Sequence, residues 1–449
     1  MILMIALVCL LSVSCISAAD NNTNDDVVAV ATDAGTFAAL QQKINNAAAG
    51  DTIYLENNYT QEGISQITID KNLTIDGKGH TIDAKGKSRI FNITHGNLVI
   101  IKNIIFVNGN ETSDKGGAIY SDGDLFVDNC QFINTTASKG GAIHGNMSTG
   151  VSVSNSAFTD TTAEYGGAIT GFNVVVTDSS FTNTTAINGY GGAIAGINVI
   201  VVRSTFNKNI AKNGGAIAGV NVTVADSHFM DTIANNGGAI YSEEGSAIVT
   251  NSTFKDTTAT NGDGGAIYTS SGNITVIDSN FINTSATGQY SKGGAIFDYE
   301  GSAVIINSKF TNITTHRGAA IYVNPHNVHN NGLAVIGSTF TNTQSSQNGG
   351  AIWGGSGEAE NFTFIVADST FNNTTAGQNG GAIYSAVTSD SFDVINSTFN
   401  DNSAIKGASI YAGGVMNLED STFNSPNATG SAVIYINTGN VDLNNNSIE

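Results

Sequence analysis

Few residues in this chain have the types and spacing that chemistry requires. Cleaving a glycosidic bond by hydrolysis needs carboxylates converging on one bond. Cleaving it by elimination needs a calcium-binding acidic cluster and an arginine base. The chain has three arginines, Arg89, Arg203 and Arg317, and none is flanked by an acidic cluster. Asp178, Asp226, Asp278, Asp368 and Asp420 are spread one per repeat, which is the distribution a turn requirement produces. His316, His326 and His329 lie in or beside one long insertion. A His-x-x-His pair in a single turn can hold zinc, but three loop imidazoles read more simply as a polar loop. Cys130 stands where the other repeats carry serine and reads as a small structural substitute. No catalytic constellation, metal or cofactor is therefore expected. One pattern remains, and it is aromatic. Tyr241, Tyr268, Phe297, Tyr322, Trp353, Tyr384 and Tyr411 occupy the same position of seven consecutive repeats, near Glu243, Glu244, Asp298 and Glu300. Flat rings in a row bind sugar rings or partner side chains, or they stabilise a sheet by stacking across strands.

The repeat that positions these rings is GGAI. Full copies begin at Gly116, Gly140, Gly166, Gly191, Gly214, Gly237, Gly264, Gly293, Gly349 and Gly380, with degraded copies at Gly318, Gly407 and Gly430; the intervals are 23 to 31 residues. A second beat, mostly [DN]-S-x-F, carries Phe132, Phe158, Phe181, Phe206, Phe229, Phe254, Phe281, Phe310, Phe340, Phe371, Phe399 and Phe423. Arg203 and Gly337 break the [DN] rule and Cys130 the serine rule. A repeat of this size makes a solenoid in which each unit packs on its neighbours. Apolar residues alternate at period two, as at Val151 and Val153 or Val222 and Val224. Each unit is thus about three short strands, and the expected fold is an all-β, right-handed, single-stranded parallel β-helix. Gly-Gly makes a corner that needs positive φ or has no room for a Cβ. The Ile of GGAI, replaced only by Val433, points inward, and the phenylalanines stack in an internal column. The residue after GGAI then points outward by strand alternation. It is Tyr120, His144, Thr170, Ala195 and Ala218 in the early coils and aromatic thereafter. The aromatic run is expected to form an exposed stripe roughly 30 Å long.

Earlier segments, Ile53-Tyr54-Leu55, Leu73-Thr74-Ile75-Asp76-Gly77 and Ile104-Ile105-Phe106, read as opening coils. Counting them gives about fifteen coils over residues 51–449 and a rod of roughly 70 Å. The Gly318–Phe340 and Gly349–Phe371 intervals are 22 residues against 15 in three other coils, so loops belong there. Residues 35–50 hold the one good helix candidate, Ala38 to Ala48, with Phe37, Leu40, Ile44 and Ala47 on one face. Its expected job is to cover the open sheet edges at the first coil.

Residues 1–19 are mostly apolar and end Ser17-Ala18-Ala19, a signal-peptide pattern with cleavage before Asp20 and a linker over 20–34. The expected location is extracellular or at the cell surface, with no membrane span in the mature chain. Formal charge is −20 with only 17 Lys and Arg, which argues against nucleic acid. Sequons are dense, for example at Asn58, Asn110, Asn146, Asn221, Asn273, Asn361 and Asn427, and some are expected to accept glycans. Asn134, Asn183, Asn283, Asn312 and Asn373 each lie two residues after a repeat Phe and are expected to face inward as an asparagine ladder.

GGAI with S-x-F, as at Gly237 to Phe254 or Gly380 to Phe399, resembles the repeats of chlamydial polymorphic outer-membrane proteins. The opening Gly50-Asp51-Thr52-Ile53-Tyr54-Leu55 with Leu73 to Gly77 is more similar to adhesin-like proteins of methanogenic archaea. The resemblance implies a secreted or surface adhesin that binds glycans or proteins of other cells, and it supplies no catalytic residues. The alternatives are a polysaccharide lyase or glycoside hydrolase of the β-helix type, and a structural cell-envelope spacer.

Overall fold

Successive repeats stack as parallel strands in register, because each coil brings the same residue types back to the same edge. The computed structural model describes residues 34–147, 149–325, 331–355, 361–388, 392–424 and 432–448. The expected signal peptide and all but the last residue of the linker lie outside that range. Residues Gly35–Glu449 form one unit, a parallel β-solenoid. A typical coil holds four strands, one more than the sequence implied: Ile119–Ser121, Asp124–Asp128, Gln131–Ile133 and Thr136–Lys139. Each pairs with its counterpart one coil on, as in Ile119↔Ile143, Leu125↔Val151, Phe132↔Phe158 and Thr136↔Thr162. The Phe-bearing sheet has sixteen strands, starting at Tyr59–Thr60 and ending at Ser447–Ile448.

The core is built of stacked columns: the second strand of each coil sends in two, as at Val151 and Val153, and the two repeat beats supply the others. Ile119 to Ile410 are fully buried at the GGAI strand. The last member is Ile434, paired with Ile410, and not Val433 as the repeat spacing implied. The final copy thus runs one residue later than Gly430, which itself lies outside the described residues. The column of the second beat is phenylalanine. From Phe106 to Phe423 neighbouring rings stack at 4.7–4.9 Å with 2–9° between planes. That spacing is the strand separation itself, so backbone pairing and ring stacking reinforce one another.

The GGAI corner uses its two glycines differently. The first has φ of 57–68° in every copy from Gly116 to Gly407, a conformation that L side chains resist. At the second, a Cβ would collide with the carbonyl oxygen one coil on, as at Gly192 against Gly215. The [DN] position has φ of 44–56° from Asn103 to Asn445, with Gly337 at 61°. Asn and Asp tolerate this left-handed region better than other residues, which is why the beat selects them. The serine that follows does more than turn. Its hydroxyl donates to the carbonyl two residues back and accepts the N–H of the preceding coil's serine, at 3.0–3.2 Å from Ser156 to Ser421. Cys130 fills this place: its N–H donates to Ser156 Oγ and its thiol faces the Asp128 carbonyl. Burial pushes that thiol up to about 12, so it is neutral and inert.

The asparagine ladder exists but faces outward. Asn134, Asn183, Asn283, Asn312 and Asn373 are exposed, with φ of 52–56°. Their amides chain across coils, as in Asn312 to Asn283 at 3.1 Å and Asn373 to Asn342 at 2.8 Å. The left-handed turn directs this side chain to solvent and sends the following Thr (Thr135, Thr184, Thr284, Thr374) into the core.

Helix Phe37–Asn46 closes the first coil. Thr36 caps it by accepting the Ala39 N–H, and Phe37, Leu40 and Ile44 are buried. Gln41 acts as a substitute strand: its amide oxygen accepts Thr68 N–H at 2.7 Å and its nitrogen donates to Thr68 O at 2.9 Å. Two backbone groups that an open edge would strand are thereby satisfied. Lys71 Nζ donates to the helix-end carbonyls of Ile44, Asn45 and Ala47, a favourable charge for that terminus.

Candidate functional site

The three arginines sit on separate coils, and each is bound to a neighbour. Arg89 is buried, donates to Asp114, to Gln66 and to the Lys115 and Gly116 carbonyls, and lies over the Tyr120 ring. Arg203 makes two 2.7 Å contacts to Asp178, which hold that carboxyl below its usual range. Arg317 Nε donates to Gln347. His316 Nδ1 lies 2.8 Å from Ser346 Oγ, while His326 and His329 lie outside the described residues. Among the described residues no three His, Cys, Asp or Glu side chains gather as metal ligands would.

The aromatic positions do come together. From Tyr241 through Tyr268, Phe297, Tyr322, Trp353, Tyr384 and Tyr411 the rings stack on adjacent coils, with centroids 4.1–6.0 Å apart and planes within 8–25°. Tyr435 continues the column beyond Tyr411 at 5.1 Å. Reading the last repeat from Ile434 would have found it; reading from Val433 hid it. The expected exposure holds only in part. Tyr241, Phe297 and Tyr322 are 8%, 1% and 3% exposed, while Tyr268, Trp353, Tyr384, Tyr411 and Tyr435 are half-buried. The side chains point away from the solenoid core, but the neighbouring rings above and below, and the corner residues beside them, cover much of their area.

Residues 203–220, running from the Ser204-Thr205-Phe206 beat to the Gly214–Ile217 corner, match the Chlamydia polymorphic membrane protein repeat. The chain carries a repeat of the polymorphic membrane protein type. No curated protein matches it. Among solved structures it is similar to a new PL6 alginate lyase in complex with a trisaccharide, at 12% identity and a TM-score of 0.34, covering 92% of this chain and 82% of that one. It is also similar to the PL6 family alginate lyase AlyGC, at 9% identity and a TM-score of 0.35, covering 87% and 80%.

One flank of the ring column carries cations in three of its coils, Lys292, Arg317 and Lys406, and an acid, Asp263, in another. The residue before each GGAI is Lys115, Lys139, Lys292, Arg317 or Lys406 in five of the coils. Lys292 Nζ lies 5.7 Å from the Phe297 ring and 5.3 Å from Tyr322; Lys406 Nζ lies 5.0 Å from Tyr435. Cation–π attraction draws the ammonium groups over the rings. The same corner column holds aromatic residues in two coils, where Tyr165 and Tyr190 stack at 6.1 Å, and Tyr190 reaches Tyr241 at 5.7 Å and 54°. Burial raises the phenol of Tyr268 to about 12 and pushes those of Tyr241, Tyr322, Tyr384 and Tyr411 up as well. The column therefore stays uncharged at neutral pH and offers hydroxyls as hydrogen-bonding groups.

The far side of the strand carries further acids. Glu243 and Glu244 are exposed, whereas Asp298 is fully buried. Asp298 Oδ1 accepts from Thr269 Oγ1 and Gly301 N, and Oδ2 has no hydrogen-bond partner among the described residues. Burial pushes this carboxyl up to about 7. It braces the turn after Phe297 and presents nothing to solvent.

Proposed function

We propose that this chain is a cell-surface binding protein that offers the outward face of a stiff solenoid to glycans or to proteins of other cells. The observation that carries the reading is the unbroken ring column from Tyr241 to Tyr435, held at strand spacing, with five rings half-exposed. Each exposed ring edge gives a weak contact, and a rigid row sums them without an ordering cost. The polymorphic membrane protein repeat at 203–220 supports a surface location. Secretion through a signal peptide at 1–19, glycosylation of exposed sequons away from the Asn173–Asn221 ladder, such as Asn58 and Asn273, and kinship with archaeal adhesin-like proteins belong to the same proposal. Among the described residues no helix is long and apolar enough to cross a membrane.

The test is attachment of the purified chain to cells and to immobilised glycans. Trp353→Ala with Tyr384→Ala removes two half-exposed rings and is expected to lower attachment about tenfold or more, while hydrogen exchange in the Phe sheet is unchanged. Undiminished attachment removes the column from the account. A second reading, a structural cell-envelope spacer, draws on the burial of Tyr241, Phe297 and Tyr322. It expects the same variant to leave attachment unchanged, so attachment and not stability separates the two readings.

A further inference from the structure

The aromatic column has a gap, and the gap coincides with the three shortest Gly-to-Phe intervals of the chain. Between His144 and Tyr241 the outward position is held by Thr170, Ala195 and Ala218. In those same coils the Gly-to-Phe interval is 15 residues. With no loop between them, the first two strands of the coil fuse into single nine-residue strands, Ile169–Thr177, Ile194–Val202 and Ile217–Ala225. Ring and loop are thus absent together. The coils on either side retain the ring and two separate strands: His144 lies on Ile143–Gly145, apart from Gly150–Ser154, and Tyr241 lies on Ile240–Ser242, apart from Ala247–Thr250, with Glu243 and Glu244 between. The result is a notch about three strand spacings wide, roughly 14 Å.

The notch contains a pocket of about 150 Å³ lined by Ala195, Gly196, Ile197, Ala218, Gly219, Val220, Tyr190, Tyr241 and Glu243. Small residues form its floor. Tyr241 closes one end, and Tyr190, tilted 54° to it, forms the side. Ile197 is 38% exposed at the margin. The Glu243 backbone is fixed by its N–H donating to Gly219 O at 2.9 Å, while its carboxylate makes no hydrogen bond or ion pair with any described residue. Beside the floor, Asn173, Asn198 and Asn221 form an outward amide ladder at 2.8 and 3.0 Å.

We propose that this notch is a saccharide-binding site that takes one pyranose unit. The claim rests on the reading of the chain as a surface binder and names its ligand and place. The volume admits one six-membered ring and is well below that of a drug-sized site. A pyranose has an apolar C–H face, which matches a tyrosine ring, and a rim of hydroxyls, which donate to a free carboxylate and exchange bonds with amides. A charged uronate is disfavoured, because the one carboxyl side chain in the lining is Glu243. The ring column from Tyr241 onward adds contacts along the surface, and the notch holds the single pyranose unit.

The test uses the full mature chain on an array of neutral and acidic oligosaccharides, with competition by free methyl α-glucoside, methyl α-galactoside and methyl α-mannoside. Ala195→Phe refills the floor with a ring of the kind the column accepts elsewhere, so the fold is retained. Glu243→Gln removes only the exposed charge. Ala195→Phe is expected to abolish neutral-glycan binding and Glu243→Gln to weaken it about tenfold. Both variants should keep the near-planar Phe stacking, read by aromatic circular dichroism. Glycan binding that survives Ala195→Phe but falls in the Trp353→Ala, Tyr384→Ala variant overturns the notch and leaves the surface-binder reading standing. Binding to cells that resists periodate and every methyl glycoside overturns the saccharide class. Absence of binding to both cells and glycans overturns both proposals.

Discussion

Two ring columns run along this molecule, one inside and one outside, and they differ in regularity. The inner phenylalanines keep 4.7–4.9 Å and 2–9° over twelve steps. The outer rings range over 4.1–6.0 Å and 8–25°. Backbone register is the same for both, so strand pairing sets only the mean spacing. The remaining order inside comes from walls: packed neighbours at interior density leave one rotamer. Outside, one edge of each ring meets loops, lysines or solvent, and residue type drifts among Tyr, Phe and Trp. A column held on all sides is a structural element; a column held on three sides leaves an edge uncovered.

The largest effect should come from breaking the inner column. Phe254→Ala is expected to cost about 3–5 kcal/mol, read as faster hydrogen exchange in the neighbouring strands Thr205–Asn207 to Lys309–Thr311. A change below about 1 kcal/mol would mean the inner walls do not hold the rings as described. Next comes Asp298, the titrating group beneath the outer column. Burial raises its folded pKa to about 7, well above the usual carboxylate range, so the folded state holds the proton more tightly than the unfolded one. That stabilisation is fully present below the unfolded value, falls as pH rises toward 7, and is gone above it. Asp298→Asn should flatten this slope in the Ile296–Asp298 region and leave the inner column's pH response unaltered. A retained slope would place the titration elsewhere. The Tyr384→Ala change removes one half-buried outer ring and should cost about 0.5–1.5 kcal/mol, well below Phe254→Ala; equal losses would erase the distinction between the columns. The smallest effect concerns the exposed amide ladder. Lys208 occupies a left-handed position, φ 57°, that is Asn or Asp in most coils. Lys208→Asn should gain up to about 1 kcal/mol by easing the backbone and extending the ladder from Asn183, measured by thermal unfolding. A loss would show that the ladder is incidental to stability.

Much of this architecture was legible from particular residues. The phenylalanine beat implied an internal stack and GGAI a corner, and both glycines serve the reasons that backbone sterics supply. The helix at Phe37–Asn46 followed from its apolar face, though the Gln41 edge contact did not, since nothing marks a glutamine as a surrogate strand. The serine of the second beat was legible as turn chemistry and not as an inter-coil ladder. The asparagines after each Phe were legible as a ladder, but with the wrong facing, because φ at that position decides the direction and residue type only permits it. The aromatic run was legible as a row; its partial burial was not.

What the sequence determined by itself is alignment. A repeat of near-constant length carrying the same apolar types brings like residues into register, because strand pairing offers no other way to satisfy the backbone of every coil. What only the tertiary structure decided is depth. Whether an outward residue ends buried, half-covered or at the edge of a notch depends on which loops fold beside it and which neighbours reach across, as Tyr322, Trp353 and Ala195 show at one and the same position of the repeat. That information is spread over several coils and a corner, so no single repeat contains it.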